Sequence, residues 1–391
     1  MKFKVSAFII STCSIVVLAI SIQLPAQAQL STGLFGHKPE IIEFEPPGAA
    51  TVTSPICGSG CGTQALGNNA QGAVVGYYTD ANVVPHGFLR TPDGNIISFD
   101  APGAGLGANL NEGTVAYTIS DAGVIVGQFE DPSEVYHGFV RYPDGSFATF
   151  DAPGAGTGAN QGTWADSINT EGATAGFYID GSNVVHGFAR SRQGEISSFD
   201  PSGSVSTSVC EETCINAAGA ITGTWGDSSG ASHGFVREPD GTITSFDAPE
   251  APYSIGSASI NAEGTTTGYF FNSSSVAVGF VRTRGGEITT FEVPGAAGLG
   301  TAAFSINVFG AVTGEFFDAN NVMHGFSRSA TGVFTTFDAP GAGTTANAFQ
   351  GTRPSTNNFS GAITGWWVDG NGVNHGFVLT SATRFFKAPV L

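Results

Sequence analysis

Positive charge is scarce in this chain. Of 391 residues, 14 are Lys or Arg against 32 Asp or Glu, a formal charge of −18. A surface so acidic repels phosphate backbones and anionic lipid, which argues against nucleic acid as a partner. Charge of either sign is thin too, 12% of residues against about 25% in an ordinary soluble protein, so the chain is not a charged disordered polymer. Helical periodicity is missing throughout, which speaks against an α or α/β fold.

Long apolar runs are missing except at the start. Lys2 and Lys4 precede an apolar stretch from Val5 to Ile22, followed by Pro25-Ala26-Gln27-Ala28. That order reads as a signal peptide, residues 1–28, cut between Ala28 and Gln29, with an uncleaved anchor as the rival. No later stretch reaches the roughly 18 uncharged apolar residues of a membrane span. The mature chain is expected to be soluble and secreted, extracellular or periplasmic, with 12 basic residues against 32 acidic ones. Residues 29–39 read as a linker and residues 40–391 as one domain.

Cysteine is sparse. Cys13 lies in the leader, and Thr12 before it does not fit a lipoprotein box. Cys57/Cys61 and Cys210/Cys214 form two Cys-x3-Cys pairs. An even count at matched short spacing in an exported chain predicts two disulfides, each closing a small loop. Zinc is the alternative, but no His stands nearby, and no metal is expected.

Glycine is abundant, 56 residues, and it is periodic. Counting from the His of His-Gly-Phe gives His86, His137, His186, His233, Val278 in its place, His324 and His375, at intervals of 51, 49, 47, 45, 46 and 51. That period, filled with short strands, predicts a seven-bladed β-propeller of four-stranded antiparallel blades. In each unit the first strand ends in Ile-Asn-x-x-Gly or a variant of it. The second resembles "AVVGYYTD", the third is His-Gly-Phe-x-Arg, and the fourth ends in Phe-Asp-Ala-Pro. Turns such as Pro92-Asp93-Gly94 join the last two.

Two residues after the Gly of the second strand stands an aromatic: Tyr78, Phe129, Tyr178, Trp225, Phe270, Phe316 or Trp367. These rings are expected between blades. Two residues further on comes Asp80, Asp131, Asp180, Asp227, Asn272, Asp318 or Asp369, shaping the next turn. A three-residue bulged hairpin between third and fourth strands sets His86 against Asp100, His137 against Asp151, His186 against Asp200, His233 against Asp247 and His324 against Asp338. Each pair is 14 residues apart. Arg90, Arg141, Arg190, Arg237 and Arg328 fall on the same face and are assigned to the same clusters. The exceptions vary together: Val278 faces Glu292. In the last unit Leu379 replaces the Arg, and Lys387 takes the acid's place, so base and acid are read as lost together. Catalysis is the sharp alternative for His and Asp, but five copies around a ring point to a structural cross-strand pair.

The units, for example "INAEGTTTGYF" followed by "VGFVRTRGGEITTF", resemble the HAF-type extracellular repeats, with His-Gly-Phe where those have His-Ala-Phe. The resemblance covers about residues 40–391. It implies a secreted, propeller-like protein and brings no catalytic residues.

"IIEFEPPG", from Ile41 to Gly48, matches the fourth-strand motif without the other three. It is expected to complete the last blade and close the ring, leaving the tail "TRFFKAPVL" as a fifth, outer strand. The tight glycine turns then share one face. The variable segments 101–112, 154–164, 202–212, 249–257 and 339–356 share the other, together with the link 131–136, and that face is the candidate binding surface. Trp164, Tyr136 and Tyr253 stand there outside the repeat consensus and are candidate ligand contacts.

Several motifs are read as bland. Gly103 to Gly107, "GAGLG", is a loop and not a dinucleotide site, so no cofactor is predicted. "DANN" from Asp318 and "DGNG" from Asp369 are turns and not calcium loops. Asn272 and Asn358 begin Asn-x-Ser triplets. The leading expectation is a monomeric, non-enzymatic propeller binding a protein or polysaccharide through its loop face. One alternative is a lyase or glycosidase using acids such as Glu112, Glu134, Asp166, Glu211 and Glu212 at the mouth of a central channel. The other is a structural cell-surface module.

Overall fold

The computed structural model describes residues 39–380 apart from Ile56, Gly58, Ser59 and segments 109–111, 211–212 and 250–254. The leader, most of the linker, His37, Glu211, Glu212, Tyr253, Lys387 and the C-terminal tail lie outside the described residues. Among the described residues there is no helix long and apolar enough to cross a membrane.

The strands pair into seven antiparallel sets of four. The first set is typical: Thr63–Asn68, Val74–Thr79, Pro85–Arg90 and Ile96–Phe99. The last set takes its fourth strand from the other end of the chain, where Ile41–Phe44 pairs with Asn374–Leu379. First strands lie innermost, and most pack against the first strand of the next set. The ring closes where the first strand of set one packs on those of set seven: Ser355 Oγ donates to Ala65 O at 3.0 Å and Asn358 Nδ2 to Asn69 O at 2.7 Å.

The His-Gly-Phe-x-Arg strand shows what holds neighbouring sets together. Gly87 pairs with Phe99, whose ring covers it so closely that a Cβ there would sit 2.6 Å from the ring. Any side chain would evict the Phe. Phe88 is fully buried, as are its counterparts Phe139, Phe188, Phe235, Phe280, Phe326 and Phe377. Burial of each stabilises by roughly 1.5–3 kcal/mol. Each also meets, edge-on, the fourth-strand Phe of the preceding set at 5.7 to 6.3 Å, from Phe44–Phe88 round to Phe337–Phe377.

The arginines depart from their expected place. Arg90, Arg141, Arg190, Arg237, Arg282 and Arg328 lie over Phe44, Phe99, Phe150, Phe199, Phe246 and Phe291 of the preceding set, at 4.6 to 5.2 Å. They do not join the His-acid clusters, because four residues along a strand put them roughly 13 Å away. They clamp the neighbouring ring by cation–π contact instead. Leu379, which replaces the Arg in the last set, makes an apolar contribution to the cluster containing Phe337.

The Asn of Ile-Asn-x-x-Gly forms a second belt. Its Oδ1 accepts the backbone N–H groups of its own turn, as Asn261 does from Glu263 and Thr265. Its Nδ2 donates to the carbonyl of the same position in the next set. The links run Asn69 to Ser120, then Asn169 to Asn216, Asn261, Asn307 and Asn358, and back to Asn69. Only Ser120 is too short to carry the chain on. Asn358 is buried in this belt, so its Asn-x-Ser triplet is closed to a glycan in the folded state.

Several segments read as loops carry the innermost strands. Ser206–Val209, Ile255–Ile260 and Gly351–Asn357 begin inside them. Their small and polar residues lack alternating hydrophobicity because one face looks into the channel. Six first strands carry a one-residue bulge, for instance at Leu66, between Ala65 and Gly67. In the fourth set a longer insertion occupies that place, and the Cys210–Cys214 disulfide closes it, Cα atoms 5.5 Å apart. Cys57–Cys61, at 5.3 Å, closes the approach to the first set.

Candidate functional site

The repeat residues account for one another. His86, His137, His186, His233 and His324 donate from Nδ1 to Asp100, Asp151, Asp200, Asp247 and Asp338 at 2.7 to 2.9 Å. Each Nε2 faces the turn carboxylate, Asp80, Asp131, Asp180, Asp227 or Asp318, at 3.5 to 3.8 Å. Each ring lies on the aromatic of the second strand, such as Trp225 on His233 at 4.3 Å. The turn carboxylate also accepts two backbone N–H groups, as Asp80 does from Asn82 and Val84. A histidine so clamped is a fastener between a turn and two strands.

The seventh set corrects the reading that base and acid are lost together. His375 donates to Glu45 at 2.6 Å, and its Nε2 faces Asp369 at 3.7 Å. The acid comes from the N-terminal strand, which no local count of residues after His375 could reveal. In the fifth set Val278 is buried instead.

What remains outside the consensus converges on the channel. The residue directly after the second-strand Gly varies from set to set: Tyr77, Gln128, Phe177, Thr224, Tyr269, Glu315 and Trp366. Each pairs with an equally variable inner-strand residue, including Gln64, Val115, Trp164 and Arg353. Two cavities open there. One, about 410 Å³, brings Gln64, Tyr77, Tyr117, Gln128, Arg353 and Trp366 together from three neighbouring sets. The other, about 400 Å³, shares Gln64, Arg353 and Trp366 and adds Glu315, Met323 and Phe349.

Arg353 is held between two rings, 4.9 Å over Phe304 and 5.0 Å over Trp366. Its Nε lies 3.8 Å from Glu315 Oε2. Burial pushes the Glu315 carboxyl up, and Arg353 partly offsets this.

Trp164 and Tyr136 do meet, with ring centroids 4.3 Å apart, and Trp164 stacks on Phe177 at 5.0 Å and 11°. Trp164 lies on the strand Gly162–Ile168, so it belongs to the channel wall and not to a loop. Gly162 lets the two strands meet: at φ 122° a Cβ there would sit 2.0 Å from Tyr136 O. Beside them burial pushes Glu130 up, the Tyr136 hydroxyl partly counters it, and Tyr136 itself is raised to about 12, chiefly by burial. Glu112 and Asp166 are buried. Sequence reading passed over Arg353, Glu315, Trp366 and Glu130. The signal was there, a variable position inside an otherwise repeated strand.

Solved structures share the architecture. The chain is similar to virginiamycin B lyase from Staphylococcus aureus, at 12% identity, covering 88% of this chain and 99% of that one with a TM-score of 0.53. It is similar to a streptogramin B lyase structure at 14%, covering 88% and 98% with 0.52. It is also similar to the BP39L lectin of Burkholderia pseudomallei at 8%, covering 80% and 93% with 0.50. The chain is a β-propeller. No family model and no curated protein matches it. At these identities the propeller likeness speaks for the fold alone.

Proposed function

We propose that this propeller is an exported, monomeric, non-enzymatic binding protein of the HAF-repeat kind that takes a saccharide at the mouth of its central channel. The reading rests on one observation: Tyr77, Tyr117 and Trp366 stand with Gln64 and Gln128 around one cavity shared by three neighbouring sets. Rings offer apolar faces for sugar C–H groups, and amides offer paired donors and acceptors for hydroxyls. The local disulfides, and a net charge that repels nucleic acid, support the exported setting.

A glycan array with the mature protein, repeated with Trp366→Ala and Trp164→Ala, tests it. Binding of a defined glycan that falls at least tenfold in either variant supports the reading. Binding of no glycan, or binding untouched by both changes, overturns it.

A second reading is carried by Glu130, whose raised carboxyl beside Tyr136 suits a general acid at the same mouth. Release of reducing ends or unsaturated products from a bound polysaccharide, abolished by Glu130→Gln, would replace the binding reading with an enzymatic one.

A further inference from the structure

We propose that the channel mouth selects a carboxylate-bearing sugar, a uronate, and that Arg353 is the residue that reads the carboxylate. This rests on the saccharide reading above and narrows it. Nine arginines fall among the described residues. Eight lie on a third strand or in the turn that follows it, at the junctions between sets or exposed on the tight-turn face. Arg353 alone stands on an inner strand. It lines both cavities.

Its setting is that of an anion reader. The rings of Phe304 and Trp366 hold the guanidinium plane on two sides, so little freedom is lost when it binds a planar carboxylate through two parallel N–H bonds. The Arg353 side chain is 38% exposed, whereas the Glu315 side chain it meets is 6% exposed. Glu315 lines the cavity that also holds Met323 and Phe349, whereas the other cavity sets Arg353 beside Gln64, Tyr77 and Gln128 without Glu315.

The rest of the protein sharpens the selection. With a formal charge of −18, an anion is repelled from the surface, and among the described residues the inner strands offer it a cation at Arg353. A long, densely charged polyanion is disfavoured for the same reason. The ligand inferred is a short or terminal uronate whose ring stacks on Trp366 or Tyr77 while Gln64 and Gln128 take hydroxyls.

Titration calorimetry of the mature protein with trigalacturonate and with neutral galactotriose, at low and at moderate salt, is the test. The wild type should prefer the uronate by roughly tenfold or more, the size of a lost charge-assisted pair. The preference should shrink with salt. Arg353→Gln should abolish it, Arg353→Lys should keep part of it, and Glu315→Gln should preserve or increase it. The salt dependence of the wild type stands even if Arg353→Gln fails to fold. Equal binding of both sugars, or a preference indifferent to salt and to Arg353→Lys, overturns the uronate while leaving the saccharide reading in place. Binding of neither sugar overturns the uronate, and a glycan array without a hit would remove the saccharide reading with it. Equally tight binding of an acidic peptide, tetraglutamate, shows recognition of charge without sugar and also overturns the proposal.

Discussion

Glu45 and His375 are 330 positions apart in the chain, yet Glu45 Oε1 lies 2.6 Å from His375 Nδ1. The contact repeats, with residues from opposite ends, the pair that every other His-bearing set makes within 14 residues. The same strand seals the last set's edge and lays Phe44 over Gly376 and against Phe88.

Glu45→Ala should therefore lower stability by roughly 1 kcal/mol, a charge-assisted bond discounted for partial exposure. Deleting residues 39–48 should cost far more, because it bares a strand edge and the Phe88 junction. Thermal unfolding and size-exclusion chromatography check both. A deletion variant that stays monomeric with an unchanged midpoint would show that the clasp is dispensable.

The asparagine belt offers a paired test. Asn261→Ala removes a buried donor to Asn307 O and an acceptor for two N–H groups, at an expected cost of roughly 1–3 kcal/mol. Ser120→Asn should complete the missing link toward Asn169 and stabilise by about 0.5–1.5 kcal/mol. Denaturant titration of the two variants should move the midpoints in opposite directions.

Gly234 faces Phe246 so closely that an added Cβ would lie 2.5 Å from the ring. Gly234→Ala should cost roughly 1–3 kcal/mol through overpacking, whereas Gly230→Ala, with nothing within 4 Å, should show only the backbone penalty of its positive φ, roughly 1 kcal/mol. If the two changes cost the same, the covering Phe is not what demands glycine.

The fasteners predict a pH profile. The hydrogen bond to Asp100 raises His86 from 6.5, and in His233 and His375 the partner acids outweigh the downward pull of burial. A raised folded value stabilises fully below pH 6.5 and is lost as pH rises through that value. Backbone N–H groups lower Asp180 and Asp318 from 3.8, and the Ser229 hydroxyl leads in holding Asp227 down to about 2. That contribution is present above pH 3.8 and is lost as pH falls through the folded values. Unfolding temperature should peak between pH 4 and 6.5. Replacing His86, His233 and His375 together by Phe should flatten the alkaline side and leave the part of the acid side set by Asp180 and Asp318. An alkaline slope that survives this change would assign it to other groups.

The repeat carried its architecture openly. Spacing of His-Gly-Phe, glycine turns and period-2 patterning identified the strands and their pairing, because those constraints act over a dozen residues and recur. The stray motif at Ile41 likewise marked the closing strand. The sequence did not say which way a repeated Arg or Asn reaches, since both act across the junction between sets: Arg90 onto Phe44, Asn261 onto Asn307. Nor did it mark the channel wall. Arg353 and Trp366 pair within one hairpin, but Gln64 comes from the other end of the chain and joins them only when the ring closes. Local hydrogen bonding and side-chain alternation determine a strand from its own residues, whereas a site between strands exists only once burial of the aromatic junctions has fixed where each set sits.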